Sequence, residues 1–328
     1  MSVSPPHGPG NLMVSSPRIQ TTTVGSYPLP DWLAALPSEQ TLVDATRVVI
    51  DTQEKAGIDL VCDGELYRFD VNHPETNGMI EYFVRAMQGV VSEISFADWV
   101  SFKGQPGVEF RRRPPGVVVA PISSGSLDLP RACARAKALA SRPLKFTLTG
   151  PHMLSKTLLK VDEANLPGAP DEWEWAAEAI NRVLRAIPTT PAVHLCFGNY
   201  GGQTIQKGGW AQLMRYLNAL AVDHIVLENA HRTAEELEVF KELRPEIGLG
   251  LGVVDIKQTV IETADTIARS IERADRILGS GRVKFVHPDC GFWMLKRSIA
   301  DGKILSLVRG RDLYEGRRTE IRVAAGQR

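Results

Sequence analysis

AVHLCFG (192–198) is the first of four short apolar runs from which the fold can be inferred. It is followed by HIVLENA (224–230), LGLGVVD (249–255) and FVHPDCG (285–291), with amphipathic stretches between them. Short apolar runs that alternate with amphipathic stretches are typical of parallel strands joined by helices. The runs recur about every 30 residues, which suits the strand–helix unit of a (β/α)8 barrel. The pattern therefore predicts an α/β fold of the TIM-type (β/α)8 class.

The same alternation continues toward the amino terminus. Five further strand-like runs are TTTVG (21–25), DLVCDGE (59–65), VVVAPIS (117–123), LKFTLTG (144–150) and LLKVDEA (158–164). Because nine candidates compete for eight barrel positions, we assign VVVAPIS to a hairpin outside the barrel, paired with the preceding GVEFRRRPPG (107–116). A doubly wound sheet is the alternative, but GSYPLP after the first strand lacks the GxGxxG pattern of a dinucleotide site.

Two helix boundaries and one short connection can also be read from the sequence. Ser38 begins one amphipathic run and Gly279 ends another, as capping residues do.

PHMLSKT (151–157) is all that separates LKFTLTG from LLKVDEA. A crossover between parallel strands needs about a dozen or more residues, and we expect seven to be too few for a helix. The sequence therefore predicts that one helical layer is missing between residues 150 and 158.

The composition limits the class of protein. Lys plus Arg and Asp plus Glu both number 38, so the formal net charge is zero, which argues against a nucleic-acid-binding protein. No apolar run approaches the roughly 20 residues of a membrane span. Four cysteines are too few for a disulfide framework. We therefore predict a cytoplasmic protein with a flexible arm (1–17), a single barrel (18–315) and a C-terminal tail (316–328).

The strongest local signal for chemistry is HLCFGN at 194–199. His194 and Cys196 are two residues apart on a predicted strand, so both side chains point to one face. Near the carboxyl end of a barrel strand, that face opens into the mouth where active sites lie. Zinc takes an imidazole nitrogen and a thiolate sulfur from such a pair. A buried cysteine beside a hydrogen-bonded histidine is the alternative interpretation.

Two later strands end in further candidate ligands. Cys290 lies in HPDCG, and Glu228 ends the otherwise apolar run VLENA. A carboxylate at such a place is costly unless it is paired or bound to a metal. The predicted tetrahedral set is therefore His194, Cys196, Glu228 and Cys290. His224 and His287 are rival ligands that look less well placed, and we interpret two other cysteines as structural, Cys62 and Cys133.

Taken together, the motifs resemble a known family. TTTVGSYP, VCDGE, LTGP, VDEANL, HLCFGN, VLENA, GLGVVD and VHPDCG occur in family order over about residues 18 to 315. In this combination the chain resembles the catalytic barrel of cobalamin-independent methionine synthase and its short single-barrel relatives. The succession of HxC, then Glu, then PDCG is the specific part of the resemblance.

The resemblance implies a zinc-dependent transfer of a methyl group to the thiol of homocysteine. The implied zinc ligands are His194, Cys196, Glu228 and Cys290, and we expect the oxygen of Glu228 to give way to the substrate sulfur. Ser26, Glu65 and Asp162 are implied around the amino acid substrate, where the two carboxylates would hold its ammonium group. Glu228 and Asp162 are accordingly the predicted catalytic residues.

The chain departs from the family at Lys257. The two-barrel enzyme of the family has a histidine at this position, proposed to deliver a proton to the departing folate, and has an amino-terminal barrel that the given sequence lacks. The sequence therefore leaves open whether the donor is a methyl-folate, a methylated corrinoid partner protein or another small methyl donor. A homo-oligomer is a further candidate assembly.

Three other functions remain as alternatives. A related zinc enzyme could alkylate another thiol such as coenzyme M, although Asp162 and Glu65 favour an amino-acid thiol over a sulfonate. A barrel that lacks a helix could bind zinc and a ligand, or a partner, without turnover. A metal-free decarboxylase on the related porphyrin-binding barrel would need a basic cleft, and RRR (111–113) is the one tight basic cluster in the sequence.

Overall fold

The computed structural model describes residues 18–70, 78–104, 112–158, 170–199, 204 and 206–317. Its strands, in chain order, are β1 (Gln20–Thr21), β2 (Val61–Cys62), β3 (Gln88–Val91), β4 (Val117–Ser123), β5 (Leu144–Lys145), β6 (Ala192–Leu195), β7 (His224–Leu227), β8 (Gly248–Val254) and β9 (Val283–Pro288). Its helices are α1 (Asp31–Ala35), α2 (Glu39–Ala56), α3 (Glu81–Val84), α4 (Phe96–Lys103), α5 (Leu129–Leu139), α6 (Pro151–Thr157), α7 (Trp173–Arg185), α8 (Met214–Ala219), α9 (Ala234–Glu238), α10 (Ala264–Leu278) and α11 (Arg297–Tyr314).

Parallel strands form the centre of the fold. Five of them pair in the order β1-β9-β8-β7-β6, and β2 pairs with β5. A parallel bridge between Thr22 and Leu60 connects the two sets into one arc. The arc does not close into a barrel within the described residues, and the expected strand at 158–164 lies outside them apart from Leu158. The predicted parallel α/β architecture is present.

Strand β8 shows how the sequence positions the site. Every residue of GLGLGVV is buried, because helices cover one face and the neighbouring interior side chains cover the other. A Cβ on Gly252 would lie 2.1 Å from Oδ1 of Asp289, and a Cβ on Gly250 would lie 3.1 Å from Nε2 of His287. The alternate glycines of β8 therefore leave space for the polar side chains at the end of β9.

The expected helix boundaries at Ser38 and Gly279 are confirmed. The Ser38 hydroxyl accepts a hydrogen bond from the backbone N–H of Thr41, which starts α2, and Gly279 caps the end of α10. Helix α11 was not predicted, because two of its buried positions carry charged residues. Lys303 is fully buried and ion-paired to Glu262, so the apolar stripe on this helix is interrupted in the sequence.

One expectation about a connection was wrong. PHMLSKT does form a helix, α6, over all seven of its residues. Proline at the first helical position lacks only an N–H that would be unbonded in any case, so Gly150 and Pro151 start a two-turn helix without a long lead-in. The helical layer is therefore short at this point and not missing.

The expected hairpin is described only in part. VVVAPIS forms an antiparallel pair outside the central arc, as expected, and its described partner is β3. Val91 pairs with Val117 and Val90 with Val118. Residues 112–116 form no strand, and 107–111 lie outside the described residues.

Among the helices that the structure describes, none combines the length and the apolar character that a membrane span needs.

A largely buried ion pair joins helix α11 to the residues just before β2. Nη1 of Arg311 in α11 lies 2.6 Å from Oδ2 of Asp59, and the Asp59 carboxylate also accepts a hydrogen bond from the backbone of Thr21. Burial would raise the pKa of Asp59, but Arg311 and Thr21 lower it overall. The carboxylate is therefore held in its charged form in the folded protein.

We expect Asp59→Asn to lower the free energy of unfolding by about 1.5–3 kcal/mol at pH 7, because the buried Arg311 loses a charged hydrogen-bond partner and keeps only the carboxylates that face its Nε, Asp312 and Glu315. Urea unfolding measures this. The difference from wild type should shrink as the pH falls below about 3.9, since a lowered pKa gives stability only above the unfolded-state value. Glu178→Gln removes an exposed pair with Arg182 and should change stability by less than about 0.5 kcal/mol. Equal effects of the two variants would refute this account.

Candidate metal centre

Three of the predicted metal ligands lie together. His194 lies on β6, Cys196 directly follows that strand, and Cys290 follows β9. One ligand atom from each of the three residues lies within 4.8 Å of the others. Because all the strands of the arc are parallel, their carboxyl ends meet at one edge, and this is why residues nearly 100 positions apart converge.

The His194 ring lies beside the thiols without another partner. Both of its ring nitrogens are buried, and neither has a hydrogen-bond partner in the described part of the chain. An imidazole in this situation has lost its contact with water and gained nothing in return, unless a metal takes the nitrogen lone pair. One imidazole and two thiols are also the donor set that zinc prefers. The residues present therefore fit a zinc ion.

The two thiols are coupled electrostatically. A hydrogen bond between them lowers the pKa of Cys196, assisted by the nearby His194, and the same contact raises the pKa of Cys290. Cys196 is therefore the thiol that ionises first. A thiolate is the form of cysteine that binds a metal.

Glu228 lies outside this group of three. Its side chain is 1% exposed, and each carboxylate oxygen contacts two donors. Oε1 lies 3.1 Å from Nε2 of His231 and 3.3 Å from Nη2 of Arg232. Oε2 lies 3.2 Å from Nζ of Lys257 and 3.3 Å from the backbone nitrogen of Phe197. The role of Glu228 as a metal ligand stays a prediction, because the described carboxylate is bound by cations.

The charges around Glu228 decide its ionisation. Burial would raise its pKa, but the hydrogen bond from His231 and the charge of Lys257 lower it to about 2. The carboxylate still acts on the thiols, since its charge contributes to the raised pKa of Cys290. Glu228 is therefore a charged group close to the cluster of thiols.

A second set of possible metal ligands includes His231, which also contacts Glu228. Ligand atoms of His231, Asp255 and Asp289 lie within 4.8 Å of one another. Asp289 is buried, and its Oδ1 accepts hydrogen bonds from the backbone of residues 229 and 230. Hydrogen bonds to Asp289 and Glu228 raise the pKa of His231 to about 9. His231 and its neighbour Arg232 were not predicted from the sequence, although they stand three and four positions after Glu228.

Ser26 packs against the turn that carries Cys290. Its backbone oxygen accepts a 2.8 Å hydrogen bond from the N–H of Phe292. A Cβ on Gly291 would lie 2.0 Å from Oγ of Ser26, so only glycine leaves room for the hydroxyl here. The predicted substrate residue Ser26 thus lies beside the turn that carries the candidate ligand Cys290.

Glu65 is held in an unusual conformation. Its backbone φ is +57°, a value that residues with a side chain rarely adopt and that often marks functional sites. Oε2 pairs with Arg68 at 2.9 Å, and Oε1 accepts a hydrogen bond from the Thr147 hydroxyl. A Cβ on Gly25 would lie 2.1 Å from Oε1. Glu65 is therefore close to the Ser26 segment, whereas Asp162 lies outside the described residues.

The rival ligands have other partners. Nδ1 of His224 lies 2.9 Å from the Asp223 carboxylate, and Nδ1 of His287 donates to the Pro288 carbonyl at 2.7 Å. Neither histidine belongs to either group of candidate ligands. Cys62 is buried, with its thiol bonded to a backbone carbonyl, and Cys133 lies on α5. These placements agree with the structural interpretation of both cysteines.

Comparison with known protein families gives an independent result. Residues 19–166 and 158–309 match the family described as the catalytic domain of cobalamin-independent synthase. The methionine synthase of Sulfurisphaera tokodaii is 27% identical over 340 residues, which cover 90% of this chain and 92% of that protein. The methionine synthase of Thermococcus kodakarensis is 26% identical over 336 residues, with 90% and 93% coverage.

Solved structures agree on the fold. A B12-independent methionine synthase from Shewanella sp. W3-18-1, in complex with selenomethionine, matches with a TM-score of 0.71 and 21% identity over 91% of this chain and 98% of that one. A protein from Listeria monocytogenes that has been assigned as a vitamin-B12-independent methionine synthase matches with a TM-score of 0.57 and 16% identity, over 91% of this chain and 98% of that one. The likeness confirms the predicted α/β fold of the TIM-barrel type.

Proposed function

This chain belongs to the family of cobalamin-independent methionine synthases, and we propose that it transfers a methyl group to the thiol of homocysteine at a zinc site formed by His194, Cys196 and Cys290. The observation that supports this most is the convergence of one imidazole and two thiols within 4.8 Å. It occurs at the carboxyl ends of parallel strands, where enzymes of this fold class place their catalytic groups.

The two cysteines determine what kind of reaction the site favours. A bound zinc ion supplies the positive charge that removes the proton from a coordinating thiol. Cys196 and Cys290 already bring negative charge to the site, so a substrate sulfur that joins them keeps its electron density. An electron-rich thiolate is the form of a thiol that attacks a methyl carbon. The site is thus suited to alkyl transfer and less to the activation of water.

We propose Glu228 as the fourth ligand, which yields its place to the substrate sulfur. Four protein ligands would fill a tetrahedral shell around zinc, so Glu228 would make way for the substrate sulfur. A carboxylate is a weaker partner for zinc than a thiolate, and Glu228 has cationic side chains within reach that can receive it. This role makes Glu228 the ligand that leaves.

We propose that Ser26, Glu65 and Asp162 hold the amino acid part of the substrate. The Glu65 carboxylate, fixed by Arg68 and Thr147, would accept hydrogen bonds from the ammonium group. Asp162 would supply a second carboxylate. This arrangement favours homocysteine over a thiol that carries a sulfonate.

The donor in this proposal is a methyl-folate or a methylated corrinoid carrier protein. We place the reaction in the cytoplasm, because all four cysteines are free thiols, as is usual in a reducing compartment.

The proposal is tested by measuring bound zinc by elemental analysis and following methionine formation from homocysteine with each donor in turn. We expect about one zinc ion per chain, as for a single catalytic zinc site, and methylation of homocysteine but not of coenzyme M. Zinc without any thiol alkylation would indicate a non-catalytic binding barrel. Alkylation of coenzyme M alone would refute homocysteine as the acceptor, and absence of zinc would favour a metal-free enzyme.

A further inference from the structure

The Glu228 carboxylate has two mutually exclusive uses. It can approach the sulfur cluster as a metal ligand, or it can stay with the cations that surround it in the described structure. The geometry shows the second use, with both oxygens engaged at 3.1–3.3 Å. The cations that hold the Glu228 carboxylate therefore affect how readily it can bind a metal as the fourth ligand. This inference rests on the metal site of the proposed function.

Of the three cations, Lys257 depends most on Glu228. Arg232 also pairs with Glu236 at 3.0 Å and stacks on the ring of Phe197, and His231 also contacts Asp289. Within the described part of the chain, the buried ammonium group of Lys257 forms an ion pair with Glu228 alone and has no hydrogen-bond partner. Lys257 is therefore the cation whose removal takes the only described cation from Oε2 of Glu228 without breaking another described ion pair.

The position of Lys257 is fixed by its loop. Its backbone N–H donates a 2.8 Å hydrogen bond to Oδ1 of Asp255, directly after β8. The side chains of Lys257 and Glu228 are only 11% and 1% exposed, so solvent screens their attraction weakly. Close charge pairs in such surroundings are coupled strongly. The pair can therefore compete with a metal for the carboxylate.

We propose that Lys257 is a positioning residue that competes with the metal for the Glu228 carboxylate and so makes this fourth ligand easier for the incoming thiol to displace. In this arrangement a substrate thiol does not have to displace a tightly bound carboxylate. The site gives up some metal affinity and gains affinity for the thiol.

The test uses the Co(II)-loaded protein, because the d–d absorption of Co(II) reports its ligands without any turnover. Spectra are recorded for wild type, Glu228→Gln, Lys257→Met and the double variant. We expect Glu228→Gln to shift the bands only slightly in the wild-type background, where Lys257 competes for the carboxylate, and strongly in the Lys257→Met background. Such non-additivity shows that the two residues act on one another.

Binding measurements give a second readout. We expect Lys257→Met to bind Co(II) about tenfold more tightly in competition with a chelator, a difference of about 1.4 kcal/mol. Homocysteine, titrated calorimetrically, should bind about tenfold more weakly. The double variant should return both values to those of wild type. Lys257→Arg, which keeps the charge, should resemble wild type, and so should Lys241→Met, which removes an exposed lysine paired to Glu238.

If Glu228→Gln shifts the Co(II) bands equally in both backgrounds, Glu228 is a ligand regardless of Lys257 and the inference is wrong, while the proposed function stands. If the wild type takes up no Co(II), the proposed metal site itself is wrong. If Lys257→Met does not fold, as judged by circular dichroism, the comparison of Lys257→Gln with Lys257→Arg replaces it, with the same expected contrast. An identical spectrum and affinity in those two variants would overturn the inference.

Discussion

Cys290→Ser is expected to weaken zinc binding by more than about 100-fold, since changes to residues that only support a metal ligand already cost 10–100-fold. The serine hydroxyl is not ionised at neutral pH, so it cannot replace the thiolate as a zinc ligand. Methyl transfer to homocysteine should fall by at least the same factor. Elemental analysis after dialysis and the kcat/KM for homocysteine measure the two effects.

Cys133→Ser is the matched control. Cys133 is a free thiol on α5, outside both groups of candidate ligands, so this variant should keep its zinc and its activity. Retention of stoichiometric zinc and full activity by Cys290→Ser would contradict the proposed ligand set.

Gly25→Ala is expected to weaken homocysteine binding by about 10–100-fold and leave zinc content unchanged. A Cβ at this position would lie 2.1 Å from Oε1 of Glu65 and 2.9 Å from its Cδ, so the carboxylate must move. The contacts of Glu65 with Arg68 and Thr147 would be lost together with the pose proposed for the ammonium group. A hydrogen bond to a charged group contributes about 1.5–3 kcal/mol, which corresponds to this loss of affinity. Isothermal titration measures it.

Gly104→Ala provides the comparison for this steric argument. At that position the nearest atom to a new Cβ is 3.5 Å away and φ is −79°, so alanine fits without strain. Homocysteine should bind this variant as it binds wild type. If Gly25→Ala also binds homocysteine normally, Glu65 does not hold the substrate.

The sequence predicted the central strands and the sulfur–imidazole cluster because both follow from periodicity. Buried parallel strands read as apolar runs, and residues two apart on such a strand share a face. Once HLCFG and HPDCG are placed at the carboxyl ends of strands, His194, Cys196 and Cys290 must approach one edge of the sheet. Their ligand atoms lie within 4.8 Å of one another, and their role as metal ligands stays a prediction.

The environment of Glu228 could not be predicted in the same way. Its partners come from separate segments: His231 and Arg232 follow β7, whereas Lys257 follows β8. Only their tertiary arrangement shows that these charges meet one carboxylate. The spacing of three and four residues after Glu228 was a usable local signal for the first two, whereas nothing in the sequence linked Lys257 to Glu228.

Helices α6 and α11 illustrate two other limits. The short connection at 151–157 was judged by length alone, although Pro151 favours a helix start. In α11, Lys303 and Arg311 occupy buried positions because each meets carboxylates there, Glu262 for the first and Asp59 for the second. A hydrophobic pattern cannot reveal a helix whose buried face contains paired charges.

The central claim is that two cysteines and a histidine of this chain hold a zinc ion that receives the homocysteine sulfur. X-ray absorption at the zinc edge, before and after homocysteine is added to the zinc-loaded protein, measures this directly. We predict two sulfur ligands at about 2.3 Å and a nitrogen at about 2.0–2.1 Å before addition, and three sulfur ligands after it. A zinc ion with nitrogen and oxygen ligands only, or a sulfur number that stays at two in the presence of saturating homocysteine, would contradict the claim.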